Sequence, residues 1–210
     1  MKTLFSALAT LATFAATVAL VAPAQAQPAA LPETLVSKIS TDVIDSVKSD
    51  KAIQAGDIGK IIALVDTKVM PSVNFEVVTR SAVGPKWREA TPEQRAKLQG
   101  EFKTLLVRVY AGALTQIRDQ AVEVTKTIPV QNSTQVVVQS EVRGRGEPIK
   151  LDYRLDKFSD AWKIIDVNVG GIWLVQSYRS QFAQVLGGTG GIDALITRLV
   201  DQNKSAATKS

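Results

Sequence analysis

The stretch "VVVQSEVRGRGEPIKLDYRL", residues 136–155, has the pattern of two β-strands joined by a tight loop. Apolar or small residues occupy every second position from Val136 to Val142, and the same alternation runs from Leu151 to Leu155. Such alternation is typical of strands that bury one face. The glycines and the proline of residues 144–148 predict a hairpin loop between them. The stretch therefore predicts an antiparallel strand pair with one apolar side.

Strands on both sides extend this pair into a sheet. Val122 and Val124 begin a preceding strand, while Ile165, Val167 and Val169 form an apolar row on a following one. Short polar turns separate neighbouring strands, so the simplest arrangement is an antiparallel meander. We therefore predict a four-stranded, twisted antiparallel sheet with one apolar and one solvated face.

Apolar residues at helical spacing dominate the rest of the chain. The clearest start signal is "TPEQ" at residues 91–94, where Thr91 can cap a helix and Gln94 can complete a capping box. Helices are predicted from Pro32 to about Asp50, from about Asp57, from Asn74 to Val83, from Pro92 to Ile117, from Leu174 to Leu186 and from Ile192 to Leu199. The predicted fold class is α+β, with helices packed on one face of the sheet.

The N-terminal segment has the features of a secretory signal peptide. Lys2 gives a positive start, residues 4–21 are mostly apolar, and an A-x-A cleavage pattern ends at Ala26. We expect export with cleavage after Ala26, a single domain over residues 27–202, and a polar, frayed tail over residues 203–210. The alternative is that the apolar segment stays uncleaved as a membrane anchor.

The chain contains no histidine and no cysteine. This composition excludes Ser-His-Asp and Cys-His catalysis, the common zinc sites, disulfide bonds and a lipoprotein anchor. The formal net charge of +5 is a mild and scattered basic excess. Such an excess suits anionic lipid headgroups or an acidic partner and does not indicate nucleic-acid binding.

Asp166 and Tyr153 are the best candidates for acid–base chemistry, because a helix-backed sheet can enclose a cavity for a small molecule. They support one alternative function, an isomerase or hydrolase in a cone-shaped α+β fold. Strand parity argues against it, since it places Asp166 opposite Ile165 and Val167, on the solvated face. Another alternative is a non-catalytic adaptor with a filled core.

Several large apolar residues follow the end of the last predicted strand within "DVNVGGIWLVQSYRSQF", residues 166–182. These side chains either complete an ordinary core or surround an apolar ligand, and periodicity alone does not decide between the two. Arg179 lies between core-facing positions, where it can pair with an acidic group or reach a phosphate. Arg143 and Arg145 either form part of a solvated surface or lie at a pocket rim.

Four stretches together resemble the MlaC family, whose members are also described as toluene-tolerance proteins. They are "VMPSVNFEVVTRSAVGPKWREATPEQR" (69–95), "EFKTLLVRVYAGAL" (101–114), "YRLDKFSDAWKIIDVNVGGIWLVQSYRSQFAQVL" (153–186) and "GGIDALITRL" (190–199). The resemblance covers about residues 33–200. One departure is Trp173, since family members usually carry a small residue, often Ser, at that position.

The resemblance implies a periplasmic phospholipid carrier that is not an enzyme and uses neither a metal nor a cofactor. We expect the protein to be a monomer. Such a carrier moves lipid between an outer-membrane lipoprotein complex and an inner-membrane ABC transporter with an MCE-domain component, and so maintains outer-membrane lipid asymmetry. It also implies an apolar cavity between helices and sheet, with acyl chains inside and the headgroup near the surface.

The residues expected to line such an acyl cavity are the large apolar ones of the predicted elements. They are Phe75, Trp87, Phe102, Leu106, Val109, Tyr110, Val138, Val142, Leu151, Tyr153, Ile165, Val167, Val169, Trp173, Leu174, Tyr178 and Phe182. Arg143, Arg145 and Arg179 are expected at the rim, near the headgroup.

Overall fold

The computed structural model describes residues 31–159 and 161–207. The predicted signal peptide and the last residues of the predicted tail lie outside these ranges. The helices are α1 (Pro32–Ser49), α2 (Lys51–Gln54), α3 (Ile58–Leu64), α4 (Phe75–Val83), α5 (Pro92–Thr115), α6 (Leu174–Leu186) and α7 (Gly191–Ala207). A π-helical turn (Val65–Val69) and a 3-10 turn (Met70–Ser72) follow α3, and a second 3-10 turn (Gly84–Glu89) follows α4. The six predicted helices are confirmed, whereas α2 and the π-helical turn carried no signal long enough to detect.

The strands form one antiparallel sheet in the order β1-β2-β3-β4-β5. Their bounds are β1 (Ala121–Pro129), β2 (Val136–Arg143), β3 (Ile149–Phe158), β4 (Ala161–Val169) and β5 (Ile172–Trp173). The prediction of four strands was wrong by one. Gly170 and Gly171 both have positive φ and fold the chain back, so that β5 pairs with the end of β4. A strand of two residues is too short to show alternation.

A β-bulge at Ile165 changes the parity of β4. Leu155 pairs with Ile164 and Arg154 pairs with Asp166, so Ile165 has no partner on β3. Ile164, rather than Ile165, therefore shares a face with Val167. The prediction that Ile165 shares a face with Val167 and Val169 was wrong, because strict alternation does not anticipate an extra residue.

The start of α5 has the predicted capping box. The Gln94 amide N–H donates to Thr91 Oγ1 at 3.2 Å, and the Thr91 amide N–H donates to Gln94 Oε1 at 2.9 Å. The Gln94 side chain also donates to Asp193 Oδ1 at 2.7 Å. Gln94 thus accepts a hydrogen bond from a backbone amide at the start of α5 and links this end of the helix to α7.

The described residues pack into three apolar clusters. The four-helix cluster joins α4, α5, α6 and α7 around Phe102, Leu98, Leu195 and Leu199. The α3 cluster joins the end of α1 to α2, α3 and α5 around Val47, Ile61, Val107 and Ala111. The sheet cluster joins the start of α1 to β2, β3 and β4 around Val36, Val138, Leu155 and Ile164. Val43 packs against both the α3 cluster and the sheet cluster, so α1 connects the two.

The last helix continues past the predicted end of the domain. Asn203 is buried, and its Nδ2 donates to the Glu101 carbonyl at 3.0 Å and to Glu101 Oε2 at 2.8 Å. Residues 203–207 are therefore helical, and the expectation that this part of the tail frays was wrong. None of the helices within the described ranges is long and apolar enough to cross a membrane.

Candidate functional site

Four half-buried apolar side chains form two diagonally adjacent cross-strand pairs on the inner face of the sheet, the face that packs against α1. We call them the apolar row: Val122, Val142, Leu151 and Val169. Val122 pairs with Val142, and Leu151 pairs with Val169. The Ser140 hydroxyl, on the same face, donates to the Leu151 carbonyl. Within the described ranges, the row belongs to none of the three clusters, so it offers apolar surface that the core does not use.

Helix α5 carries a second apolar stripe between the clusters. Leu106 packs against the four-helix cluster and Leu114 against the α3 cluster, with Tyr110 one turn from each. Tyr110 is half-buried, and its loss of solvent raises the pKa of the phenol. The main helix contacts to the sheet come from α1, α4 and α6, whereas α5 packs mainly on other helices. Apolar side chains that the core does not fully cover thus remain on both the sheet and α5.

Charged residues lie at the end of the sheet next to Val142, where Arg143 is on the outer face and therefore on the opposite side of the sheet from the apolar row. Arg143 Nη2 lies 3.0 Å from Glu141 and its Nε 3.1 Å from Glu123, while Arg145 Nε lies 3.3 Å from Asp119. These exposed pairs contribute little to stability and leave the guanidinium groups accessible. On the inner face, Ile149 pairs with Val142 and is mostly exposed.

Most of the predicted aromatic residues lie in the packed interior of the four-helix cluster. Phe102 has ring-centroid distances of 4.9 Å to Tyr178, 5.2 Å to Phe182 and 5.8 Å to Phe75. Trp87 is buried in the same cluster, and Leu106 and Leu174 pack against it. These rings stabilise the helical layer. Their contact with an acyl chain stays a prediction.

The remaining predicted residues divide between the sheet and the surface. Val138, Tyr153 and Val167 belong to the sheet cluster, next to the apolar row, and burial raises the pKa of the Tyr153 phenol. Val109 is 54% exposed and borders a cleft of about 140 Å³ between α5, α6 and α7. Ile165 is buried at the bulge.

Trp173 and Arg179 lie apart from the apolar row. Trp173 pairs with Asn168 on the outer face of the sheet, where the Arg154 guanidinium lies 4.6 Å from its ring centroid. Trp173 borders an open cleft of about 590 Å³ beside α6. The Arg179 guanidinium lies against Gly84 and, among the described residues, forms no ion pair. The structure therefore does not bring these two side chains together with the other predicted site residues.

Asp166 is buried, which corrects the prediction that it faces solvent. Its side chain is on the outer face, but that face is covered where α6 begins, and the residue is only 8% exposed. Asp166 Oδ1 accepts from the amides of Val167 at 2.9 Å and Val175 at 3.0 Å. Because Val175 is in the first turn of α6, Asp166 caps that helix from β4. Burial raises the pKa of this carboxyl, and the two amide hydrogen bonds and Arg154 only partly offset that effect.

Tyr153 lies on the inner face, paired with Val167, while Asp166 lies on the outer face, paired with Arg154. The two residues of the acid–base hypothesis therefore lie on opposite sides of the sheet. This separation removes the shared site on which the isomerase or hydrolase alternative depended.

Sequence reasoning missed one residue of the apolar row and one of the α5 stripe. Val122 was recognised as a strand residue, and Leu114 lies on the α5 stripe, but neither was expected to line a cavity. Strand alternation would have identified Val122, which shares the sheet face of Val142. Helical spacing would have identified Leu114, which lies two turns from Leu106 on α5.

Comparison with known proteins decides the family. The model of the family described as MlaC protein matches residues 37–201. The chain belongs to the MlaC family. The expected resemblance is thereby confirmed over nearly the whole described part of the chain.

Two similar proteins have descriptive names. "Toluene tolerance protein ttg2D" from Pseudomonas putida is 24% identical over 156 residues, which cover 74% of this chain and 73% of the relative. "Intermembrane phospholipid transport system binding protein MlaC" from Haemophilus influenzae is 25% identical over 172 residues, which cover 80% of each protein.

A similar solved structure is that of a phospholipid-binding protein from Ralstonia solanacearum, determined in complex with a phospholipid at 1.53 Å. It is 39% identical to this chain, with a TM-score of 0.81. The match covers 85% of this chain and 99% of that structure. The two proteins therefore share the fold over almost all of the solved relative.

Proposed function

We propose that this protein is a phospholipid carrier that binds acyl chains against the apolar row. The observation that carries the proposal is the row itself, apolar surface on the inner face that none of the three clusters covers. The phospholipid bound to the solved relative with 39% identity supports this choice of ligand.

The energetics of lipid transfer explain why such a site needs little polar chemistry. Exposing two acyl chains of about fifteen CH₂ groups each to water costs roughly 24 kcal/mol, at about 0.8 kcal/mol per CH₂. A carrier needs only an apolar environment comparable to the bilayer, so that transfer is nearly neutral. The apolar row has that character, and Arg145, which is almost fully exposed in the loop after β2, suits a phosphate headgroup.

We further infer that the carrier works in the periplasm, between an outer-membrane lipoprotein complex and an inner-membrane MCE-domain ABC transporter. The N-terminal sequence supports export, and the transport-system name of the Haemophilus relative supports a partner of this kind. A non-enzymatic role is consistent with a sequence that lacks histidine and cysteine.

The direct test is to purify the protein without detergent, denature it and analyse the organic extract by mass spectrometry. We expect about one phospholipid per protein, and uptake of labelled phospholipid from vesicles by the delipidated form. An extract free of phospholipid, together with no uptake, would refute the proposed function.

A matched pair of variants tests the location of the site. Val142 and Val137 are both half-buried valines of β2, but they lie on opposite faces of the sheet. A carboxylate has a large desolvation cost beside an acyl chain. We expect Val142→Asp to lose at least tenfold in phospholipid uptake and Val137→Asp to retain it. Equal uptake by the two folded variants would place the site elsewhere.

A further inference from the structure

A second line of inner-face residues crosses the sheet beside the apolar row. It contains one residue from each of β1, β2, β3 and β4, and each member pairs directly with the next. We call it the end row: Thr127, Val138, Tyr153 and Val167. Tyr153 follows Leu151 of the apolar row by two positions on β3, so the two rows adjoin on the same face.

Solvent exposure along β3 shows where the accessible part of the inner face ends. Ile149 is 56% exposed, and Leu151 and Tyr153 are half-buried. Leu155, the next residue on this face, is 0% exposed, as is Val138 beside Tyr153. Counted from Ile149, Tyr153 is therefore the last inner-face residue of β3 with accessible surface before the buried core.

Helix α1 contacts the end row at two polar points. Thr127 Oγ1 donates to Oε2 of Glu33, in the first turn of α1, at 3.3 Å. Two turns further along α1, the buried Ser40 lies beside the Tyr153 phenol. Burial raises the pKa of that phenol, and the Ser40 hydroxyl partly offsets the effect. The Tyr153 ring is thus held between the sheet and α1.

A hydrocarbon chain cannot continue past the end row. Directly paired residues of neighbouring strands have Cβ atoms about 4.5–5.5 Å apart, and non-bonded carbon atoms need about 3.5–4.0 Å from each other. No chain therefore fits between Val138, Tyr153 and Val167. These three side chains also belong to the sheet cluster, on which α1 packs through Val36 and Ile39, so the space above them is filled.

Tyr153 has the largest side chain of the end row and is the next inner-face residue after Leu151. We propose that its ring is the end wall of the acyl-chain site and sets the longest acyl chain that the protein binds. A chain that lies along the apolar row meets this ring, and any further CH₂ groups stay outside the site. This inference rests on the proposed carrier function and adds selection by acyl-chain length.

Replacement of the ring by a smaller side chain tests the proposal. The variant is Tyr153→Val, which keeps a β-branched residue like its two cross-strand neighbours. Delipidated protein is mixed with vesicles that contain equal amounts of phosphatidylethanolamines with palmitoleoyl, oleoyl, eicosenoyl and erucoyl chains, and mass spectrometry measures the lipids taken up. Each additional buried CH₂ group favours binding by roughly fourfold. We therefore expect Tyr153→Val to raise the bound ratio of erucoyl to palmitoleoyl lipid at least threefold over the wild type.

Two control variants separate an end wall from a loosened core. Tyr153→Phe keeps the ring without the hydroxyl and should retain the wild-type ratio. Trp162→Val removes an aromatic ring from the same sheet cluster, but Trp162 pairs with Lys157, four positions beyond Tyr153 on β3. Its ratio should also equal that of the wild type. Circular dichroism verifies that each variant is folded.

The outcomes distinguish the end wall from the carrier function. Normal total uptake by Tyr153→Val with the wild-type ratio would overturn the end wall alone, and so would a shift of the same size in either control variant. Absence of uptake by the wild type would overturn the carrier function and, with it, the end wall.

Photolabelling of the wild-type protein gives a second test that needs no substitution. The probe is a phosphatidylethanolamine whose acyl chain is the longest that the wild type takes up and carries a diazirine at its methyl end. After illumination, we expect mass spectrometry to find the label on Tyr153 or Ser40. Label found only on other residues, whether Leu155 beyond the end row or the helices α4 to α7, would overturn the end wall.

Discussion

Asp166 shows how a single carboxylate fixes the junction between sheet and helix. The residue before α6, Trp173, makes no side-chain cap, and Asp166 supplies the missing acceptor from β4. We expect Asp166→Ala to lower the free energy of unfolding by about 1–3 kcal/mol, because it leaves buried amide groups without a partner. Urea unfolding followed by circular dichroism measures this change. A change within about 0.5 kcal/mol would contradict the capping role.

The same residue predicts a pH dependence of stability. Burial raises the pKa of the folded-state carboxyl above its ordinary value of 3.8. Protonation therefore favours the folded protein, and this contribution is complete below about pH 3.8 and is lost as the pH rises through the folded-state pKa. The stability of the wild type relative to Asp166→Asn should decrease over that interval, as measured by urea unfolding at several pH values. A difference that increases with pH would show that the hydrogen bonds outweigh burial.

At the scale of elements, the capping box of α5 is the best-determined local feature. Thr91→Ala removes the acceptor of the Gln94 amide and should destabilise the protein by about 0.5–2 kcal/mol in urea unfolding. Thr104→Ala in the same helix is the control, because its hydroxyl only donates to the Gly100 carbonyl. Its effect should be within about 0.5 kcal/mol, and equal losses in the two variants would show that the cap contributes nothing specific.

Helices and strands whose apolar pattern repeats several times could be predicted from the sequence, whereas very short or irregular elements could not. The α5 stripe and the β2–β3 hairpin each present several turns or alternations, and both lie within a few residues of their predicted bounds. Strand β5, the π-helical turn and the bulge at Ile165 each span only one to five residues. Their conformations depend on tertiary contacts. Local alternation contains no information about them.

The candidate site shows the same division. The inner-face members Val142, Leu151 and Val169 could be predicted, because alternation identifies a sheet face. The buried aromatics such as Phe102 were not separable from cavity residues, since both are large, apolar and correctly spaced. Which apolar side chain is covered by another one depends on how three clusters meet, and that is a property of the tertiary structure.

At the scale of the whole molecule, bound lipid should stabilise the protein, because the proposed site exists only in the folded state. A ligand that binds only the folded state at about 1,000 times its dissociation constant adds about 4 kcal/mol. For a domain of this size that corresponds to an increase in Tm of roughly 10 °C. Calorimetry of the lipid-loaded and delipidated protein measures the difference. Identical Tm values would mean that the lipid does not occupy a site formed by folding.

The unpaired residue in β4 makes deletions and substitutions unequal along this strand. Removing Ile165 would join Ile164 directly to Asp166, and these two residues already pair with the neighbours Leu155 and Arg154 on β3. Every later side chain of β4 would therefore keep its present face, with Val167 on the inner face and Asp166 at the first turn of α6. Removing a paired residue such as Val167 would instead turn Asn168 and Val169 to the opposite faces. A mutational scan that includes single-residue deletions should therefore find removal of residue 165 better tolerated than removal of residue 167.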